Sequence, residues 1–518
     1  MRVKSSLINI SAGLGNQLII TALSFISRSV FISTLGIEYL GVNGLFTSLL
    51  AMLSLAEAGI GSSIIYNLYK PVAENDQEKI NRLMKLYRNA YLGIALVVLL
   101  LGLTLLPFLD HFVKDTSVKD VYMIYLIFLF NTVIPYFFQY KQSFLNVSQK
   151  GYVVTSVYSV SQIVSTSLKI AVLTYTQNYI LYLVMDSIIT ITTSMILNTI
   201  VNRMYPFLKN KPTGKLDAET KANLFKNIKA IVLQNIGAYF VLGADSLIIS
   251  AFVSLAAVGL YSNYKMLIDI SRTFLNQIFN NMYHSVGNLV AKESSAKVYQ
   301  VYKVTMLMNF WLYSLFTIFL AIIIQPFITV WLGSKFLMEG SVLFVLMLLF
   351  YERGMRNSIT TVKTTAGIFY EDRFAPLCQA AVSVTLSLVL VHYMGITGVF
   401  VGSLISALVV PYWLTPLLVY RKVFQQPLGH YFLRYGAYTA VGIGTYFAAQ
   451  YMTGFIRMDG FFSIVWKSIV CLFVINAVYI AVFYKSDEFK YISRLIAALI
   501  KKLPIGSKLS RKMEGVEQ

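Results

Sequence analysis

The chain has 518 residues and carries 43 Lys and Arg against 23 Asp and Glu, a formal charge of +20. It is 57% hydrophobic and only 13% charged, with a mean hydropathy of +0.66. Soluble proteins carry roughly 25% charged residues, so this balance excludes a soluble enzyme and a disordered chain and predicts an all-α integral membrane protein.

A hydrocarbon core about 30 Å thick takes about 20 apolar residues per helix, and on that measure about fourteen segments qualify. In chain order they run over 7–34, 40–68, 87–110, 121–140, 151–174, 178–200, 228–253, 256–280, 303–326, 340–362, 374–394, 397–420, 433–453 and 461–484. The first is far longer than the apolar core of a cleaved signal. Lys and Arg gather in every second connection: Arg2 and Lys4 before the first span, Lys70 to Arg88 before the third, Lys141 and Lys150 before the fifth, and Arg203 to Lys226 before the seventh. Lys292, Lys297 and Lys303 follow the eighth span, and Arg421 and Lys422 follow the twelfth. The alternate connections, such as 35–39, 175–177, 393–396 and 454–460, are short and nearly neutral. The positive-inside rule then puts both termini in the cytoplasm. Charge spread along one membrane face, rather than gathered on a folded basic surface, speaks against a nucleic-acid partner.

No connection is long enough to hold a domain, because chains below about 40 residues rarely fold alone. The tail carries Phe489, Ile492, Leu495, Ile496, Leu499 and Leu503 at helical spacing with Lys490, Arg494, Lys501 and Lys502 between them. That pattern suits an interfacial helix on an anionic leaflet, contacting membrane lipids; the alternative is a solvated tail.

Shifting the sequence by 217 residues aligns the first span with the seventh. Gln17 meets Gln234, Ile19 meets Ile236, Ser29 meets Ser246 and Ile32-Ser33 meets Ile249-Ser250. One residue of slippage later, Leu40-Gly41-Val42 meets Val258-Gly259-Leu260. Six spans separate the copies, so both halves keep one orientation, as in transporters built from two six-helix bundles. The expected organisation is an N-terminal bundle over 1–200, a cytoplasmic linker over 201–227, and a C-terminal bundle over 228–420. Two additional helices over 421–484 and a basic tail over 485–518 complete it. In this register Arg28 is aligned with Asp245, an opposite-charge pair at matching depth.

A charge at membrane depth costs at least about 2.5–3.5 kcal/mol on insertion scales, so it faces a cavity or a partner. In the eighth span Lys265, Asp269 and Arg272 are spaced i, i+4, i+7 with Asn276 next, which puts all four on one face. The stripe reads as the wall of a hydrated vestibule or as a self-neutralising ion network. The tenth span repeats the theme with Glu352, Arg353 and Arg356, either inside the membrane or at its inner interface. Glu57 sits among small residues of the second span, where it binds a cation or proton or pairs with an arginine. Lys169 and Asp186 lie at similar depth in the fifth and sixth spans and can pair with each other.

No Gly-x-x-x-x-Gly-Lys-Ser/Thr run is present, which argues against ATP hydrolysis by this chain. The four histidines and the cysteines Cys378 and Cys471 show no metal-ligand spacing. No catalytic residue and no bound cofactor is expected; coupling to a proton or a sodium ion is left open. Arg28, Lys265, Arg272, Arg353 and Arg356 are the candidate substrate-cavity residues, and Glu57, Asp245 and Asp269 the candidate gating or ion-coupling residues.

Ala366-Gly367-x-Phe369-x-x-Asp372-Arg373-x-x-Pro376 precedes the eleventh span, and Gly395-Ile396-x-Gly398-Val399-Phe400-x-Gly402-x-x-Ile405-Ser406 opens the twelfth. With Gly41-Val42-Asn43-Gly44-Leu45 and Leu55-Ala56-Glu57-x-Gly59-Ile60-Gly61, these stretches resemble the Wzx-type flippases of bacterial polysaccharide synthesis, within the MATE-like (MOP) exporter superfamily. The resemblance implies a bacterial plasma-membrane protein that moves polyprenyl-pyrophosphate oligosaccharide to the outer leaflet by rocking two bundles about a basic cavity. A polysaccharide polymerase and other assembly proteins would be its partners. The related lipid II flippases keep arginines in the first, second and eighth spans; Arg28 and Arg272 match two of these, whereas the second span offers Glu57, which argues against a lipid II substrate. The rival readings are a cation-coupled drug or metabolite exporter, a membrane-embedded glycosyltransferase or polymerase, and a non-transporting scaffold.

Overall fold

A computed structural model describes residues 2–54, 60–113, 116–210, 237, 240, 243–368 and 370–502. All regular elements among them are helical, in agreement with the all-α expectation. The principal helices are α1 (Arg2–Leu35), α2 (Ile37–Leu53), α3 (Ile60–Ala73), α4 (Gln77–Leu105), α5 (Val121–Val133), α6 (Gln139–Val147), α7 (Gly151–Thr176) and α8 (Tyr179–Met204). They continue with α9 (Gly243–Phe252), α10 (Leu255–Lys292), α11 (Ser295–Trp331), α12 (Gly340–Met355), α13 (Asn357–Thr365) and α14 (Ala375–Val409). The chain goes on through α15 (Pro411–Val419), α16 (Gly429–Gly454), α17 (Gly460–Phe483) and α18 (Asp487–Lys502). Among the described residues, seven helical runs, or eight with one bent pair counted as a span, are long and apolar enough to cross a membrane. This is a multi-pass membrane protein.

The helix limits depart from the apolar segments for identifiable reasons. α4 starts ten residues before its apolar run, because Asp76 caps it by accepting from the Lys79 amide at 2.9 Å and Glu78 pairs with Arg82 one turn on. The expected fourth span breaks at Pro135, which supplies no amide hydrogen. A 3-10 turn, Ile134–Phe137, joins the two parts, and α6 leaves at 47° to the preceding stretch. Gly36, at φ 90°, ends α1 and lets α2 turn away. Gly395, at φ 55° and ψ −137°, folds α14 into a hairpin of 375–394 and 396–409, so that one apolar run makes two passes. The arms of that hairpin touch backbone to backbone: a Cβ on Gly398 would fall 2.2 Å from the Leu390 carbonyl oxygen, and one on Gly402 2.5 Å from the Ser387 nitrogen.

By packing, the chain divides into two compact units, Met1–Lys265 with Arg373–Ser406 and Met266–Asp372 with Ala407–Gln518. In the first unit α1 packs along α7, α7 on α8, α8 on α5 and α3 on α4. Here α2 also crosses the start of α10 at two glycines. A Cβ on Gly41 would sit 2.0 Å from the Leu255 carbonyl oxygen, and one on Gly259 2.4 Å from that of Ile37.

In the second unit α11 packs against α12, α16 and α17. Lipid tails are as apolar as leucine, so these helices associate through close packing and interhelical hydrogen bonds. Phe310 stacks on Tyr438 at 4.9 Å, Tyr479 donates to Ser314 at 2.7 Å, and Trp311 Nε1 donates to Asn476 at 3.0 Å. The first turns of the tail helix α18 dock here too. Glu488 accepts from Arg434 at 2.8 Å, and Phe489 stacks on Trp311 at 5.8 Å.

Candidate functional site

The helix α10 is continuous over 38 residues, so Lys265, Asp269 and Arg272 lie on one face as their spacing requires. Arg272 Nη1 donates to Asp269 Oδ1 at 3.0 Å, with the side chains 36% and 38% exposed. With more than a third of each side chain open, an anion can reach the Arg272 guanidinium. Asn276, one turn further, is exposed, and Lys265 is half-buried.

In the first unit, Arg28 Nη1 donates to Ser262 Oγ at 2.9 Å, and Ser262 in turn donates to the Gly259 carbonyl at 3.0 Å. A guanidinium has five N–H donors, and this is the one hydrogen bond Arg28 makes among the described residues. The remaining donors form a fork suited to phosphate or carboxylate oxygens. Asp245, on α9, is buried; it accepts from Ser403 Oγ at 2.9 Å, and Ser403 lies 3.1 Å from Ser383 within the α14 hairpin. The two charges aligned by the repeat are thus each engaged by a serine hydroxyl.

In the second unit, Arg356 grips Glu352 through two nitrogens, Nη2 to Oε2 at 3.0 Å and Nε to Oε1 more closely. Glu352 is 3% exposed. This bidentate pair closes α12 where it breaks into α13, and it neutralises both charges in place. Arg353 is half-buried beside it. Glu57 lies outside the described residues.

Lys169 and Asp186 do meet, at 2.8 Å, joining α7 to α8; Ser165 also donates to Asp186 at 3.2 Å, and the ammonium lies 5.0 Å from the Tyr182 ring centre. A further ion pair is one that helical spacing does not predict. Lys363 binds Asp372, both buried, across the turn that holds Gly367 at φ 72°. Its signal in the sequence is slight: two opposite charges flanking Ala366-Gly367, the second of them inside a motif.

No protein-family model matches the chain, and a comparison with curated proteins finds no relative. Solved structures do match. A lipid II flippase, MurJ, in an inward closed conformation is 13% identical, with a TM-score of 0.61 over 90% of this chain and 98% of that one. A variant of the Vibrio cholerae MATE transporter VcmN is 15% identical, with a TM-score of 0.54 over 79% and 96% of the two chains. An inward-facing multidrug resistance MATE transporter of the MOP superfamily is 14% identical, with a TM-score of 0.53 over 76% and 93%. At such identities the likeness is one of fold, and the fold is that of the MATE-type and MurJ-type membrane transporters.

Proposed function

We propose that the chain flips polyprenyl-pyrophosphate-linked oligosaccharide repeat units from the cytoplasmic to the outer leaflet of a bacterial membrane, by alternating access, for surface polysaccharide assembly. The observation that carries this reading is the half-open Asp269–Arg272 pair on the face of α10, with Lys265 two turns before the arginine. Cations that an anion can reach suit a pyrophosphate head group that must be taken up on one side and released on the other. The shared fold with a lipid II flippase, over 90% of this chain, supports a lipid-linked cargo.

In this scheme Arg28, Lys265 and Arg272 contact the anionic head, with Arg353 and Arg356 lining the same path. Asp245 and Asp269 hold cations poised between states, and Glu57 takes a coupling proton or sodium ion. The two bundles over 1–200 and 228–420 rock against each other, with both termini cytoplasmic and the last two helices outside the six-plus-six core. The chain is a carrier and not an enzyme; a polymerase acts on its product.

Loss of the gene should accumulate lipid-linked repeat units that remain on the cytoplasmic leaflet. Lys265→Ala or Arg272→Ala should abolish surface display while the protein still reaches the membrane. Normal display in both variants would overturn the assignment of these residues. If Arg28 and Asp245 act as a pair, the charge-swapped double variant should regain display that each single reversal loses. A cation-coupled exporter of the MATE type is the second reading, favoured by the fold shared with two MATE transporters. It predicts normal lipid-linked intermediates in the deletion strain and lost resistance to a small cationic compound.

A further inference from the structure

We infer that the second unit binds an anionic phospholipid in a lateral groove between α11, α12 and α16, with Lys467 of α17 at the phosphate. The groove holds a cavity of about 670 Å³. Its walls include Ile318, Ile322, Leu343 and Met347, and it opens sideways between Phe344 and Phe447, which are 63% and 64% exposed. In a multi-pass membrane protein that opening faces lipid.

Several polar side chains of the groove have an internal partner, Gln325 (to the Met338 carbonyl) and Thr453 (to the Ala449 carbonyl) among them. At the deep end each has an internal partner: Ser314 donates to the Phe310 carbonyl, Thr317 to the Tyr313 carbonyl, and Tyr351 and Thr439 share a hydrogen bond at 3.0 Å. Those groups ask nothing of a ligand, so a hydrocarbon chain can lie against them. At the other end the Gln450 amide and the Lys467 ammonium also line the cavity, and neither side chain has a hydrogen bond or ion pair among the described residues. Gln450 is four residues from the end of α16 and Lys467 seven from the start of α17. At 1.5 Å per residue both lie within about 10 Å of their helix ends, near the level of glycerol and phosphate.

At that level the ammonium reaches the headgroup layer, where a lipid phosphate is the counter-charge within reach. The geometry supplies one position for it, at the mouth of an apolar slot. A free phosphate would leave the slot empty, and a zwitterionic lipid would offer its phosphate with a competing cation. A single-chain slot of this volume is in the range of small-molecule sites and fits one acyl chain of an anionic phospholipid in the leaflet opposite the basic loops. The site is independent of what the chain transports, since the lipid is a resident and not the cargo.

The test uses the full-length protein purified in detergent, with lipid binding followed by native mass spectrometry. Phosphatidylglycerol and phosphatidylcholine of matched chains are titrated separately. Wild type should retain phosphatidylglycerol about tenfold more tightly than phosphatidylcholine, a charge-assisted contribution of ordinary size. Lys467→Gln should remove that preference without weakening phosphatidylcholine, and Lys467→Arg should keep it. Ala321→Trp, which fills the slot from α11, should weaken both lipids. Equal retention of the two lipids by wild type, an undiminished preference in Lys467→Gln, or displacement of phosphatidylglycerol by an equimolar polyprenyl phosphate would each overturn the inference.

Discussion

Gly41 and Gly259 occupy equivalent positions in two related segments, and each lies against the backbone that precedes the other. Gly41 faces the Leu255 carbonyl and Gly259 faces the Ile37 carbonyl. Ile37 corresponds to Leu255 under the same shift that takes Gly41 to Gly259, so the two contacts are copies of one contact, exchanged as across a two-fold axis. A sequence repeat of modest identity therefore has a reciprocal structural counterpart. Glycine is required on both sides because a Cβ would enter the opposing carbonyl.

Replacing either glycine by alanine should loosen this crossing. Overpacking of this kind costs about 1–3 kcal/mol, and because the clash is with backbone a side-chain rotation does not relieve it. Gly41→Ala and Gly259→Ala should lower thermal stability in detergent by similar amounts. Gly93→Ala, at a helical glycine with no neighbouring side chain or helix within 4 Å of where its methyl group would stand, should be neutral or slightly stabilising. Equal behaviour of all three variants would contradict the reciprocal contact.

The Lys169–Asp186 pair ties α7 to α8 with side chains 16% and 36% exposed. Removing only the lysine leaves a carboxylate without its cation at membrane depth. The cost of Lys169→Met should be about 3 kcal/mol, the low end for a buried pair broken on one side. Lys169→Met with Asp186→Asn should recover most of that loss. Thermal unfolding of the three proteins checks the cycle.

What is legible in the sequence depends on whether partners share a helix face or meet only in three dimensions. Lys265, Asp269 and Arg272 are readable because helical spacing alone brings them together, and Lys169 with Asp186 because neighbouring spans carry opposite charges at one depth. Hydropathy cannot locate the bend at Pro135, since an average over apolar residues is blind to one missing amide. It also misses the charged first turns of α4, which the Asp76 cap extends beyond the apolar run. Ser262 and Ser403 carry no signal. A serine becomes the partner of Arg28 or Asp245 only when distant segments pack. Lys363 and Asp372 are near in sequence but belong to different elements, and the left-handed Gly367 between them is what turns one toward the other.

Arg272 and Arg356 should behave differently although each pairs with a carboxylate one turn before it. Arg356 neutralises a carboxylate that is 3% exposed, and breaking such a pair leaves an uncompensated charge worth about 3–5 kcal/mol. Arg356→Ala should therefore reduce folded protein in the membrane. Arg272 faces a half-open partner, so Arg272→Ala should change stability by about 1 kcal/mol or less and leave protein levels normal. Fluorescence-detected chromatography of the two variants separates the cases. Loss of surface display by Arg272→Ala at a normal protein level would then report on transport and not on folding.

Glu38, in the first turn of α2, receives three hydrogen bonds on Oε2: from the Ser117 amide at 2.8 Å, the Ser117 hydroxyl at 2.9 Å and the Thr116 hydroxyl at 2.9 Å. The Ser117 amide, followed by the Ser117 hydroxyl, holds this carboxyl below its ordinary range, with the Thr116 hydroxyl adding to the effect against partial burial. A carboxyl with a lowered folded pKa contributes stability above its unfolded value, about 4.3, and loses it as pH falls through the folded value. The tie between α2 and the segment around Ser117 should therefore be intact at neutral pH and weaken below about pH 4. Hydrogen exchange at the Ser117 amide is the measurement. Its protection should fall on acidification in wild type, whereas in Glu38→Gln it should be lower at neutral pH and insensitive to acid over the same interval. Constant protection in wild type across that interval would show that the carboxylate's charge does not hold the segment.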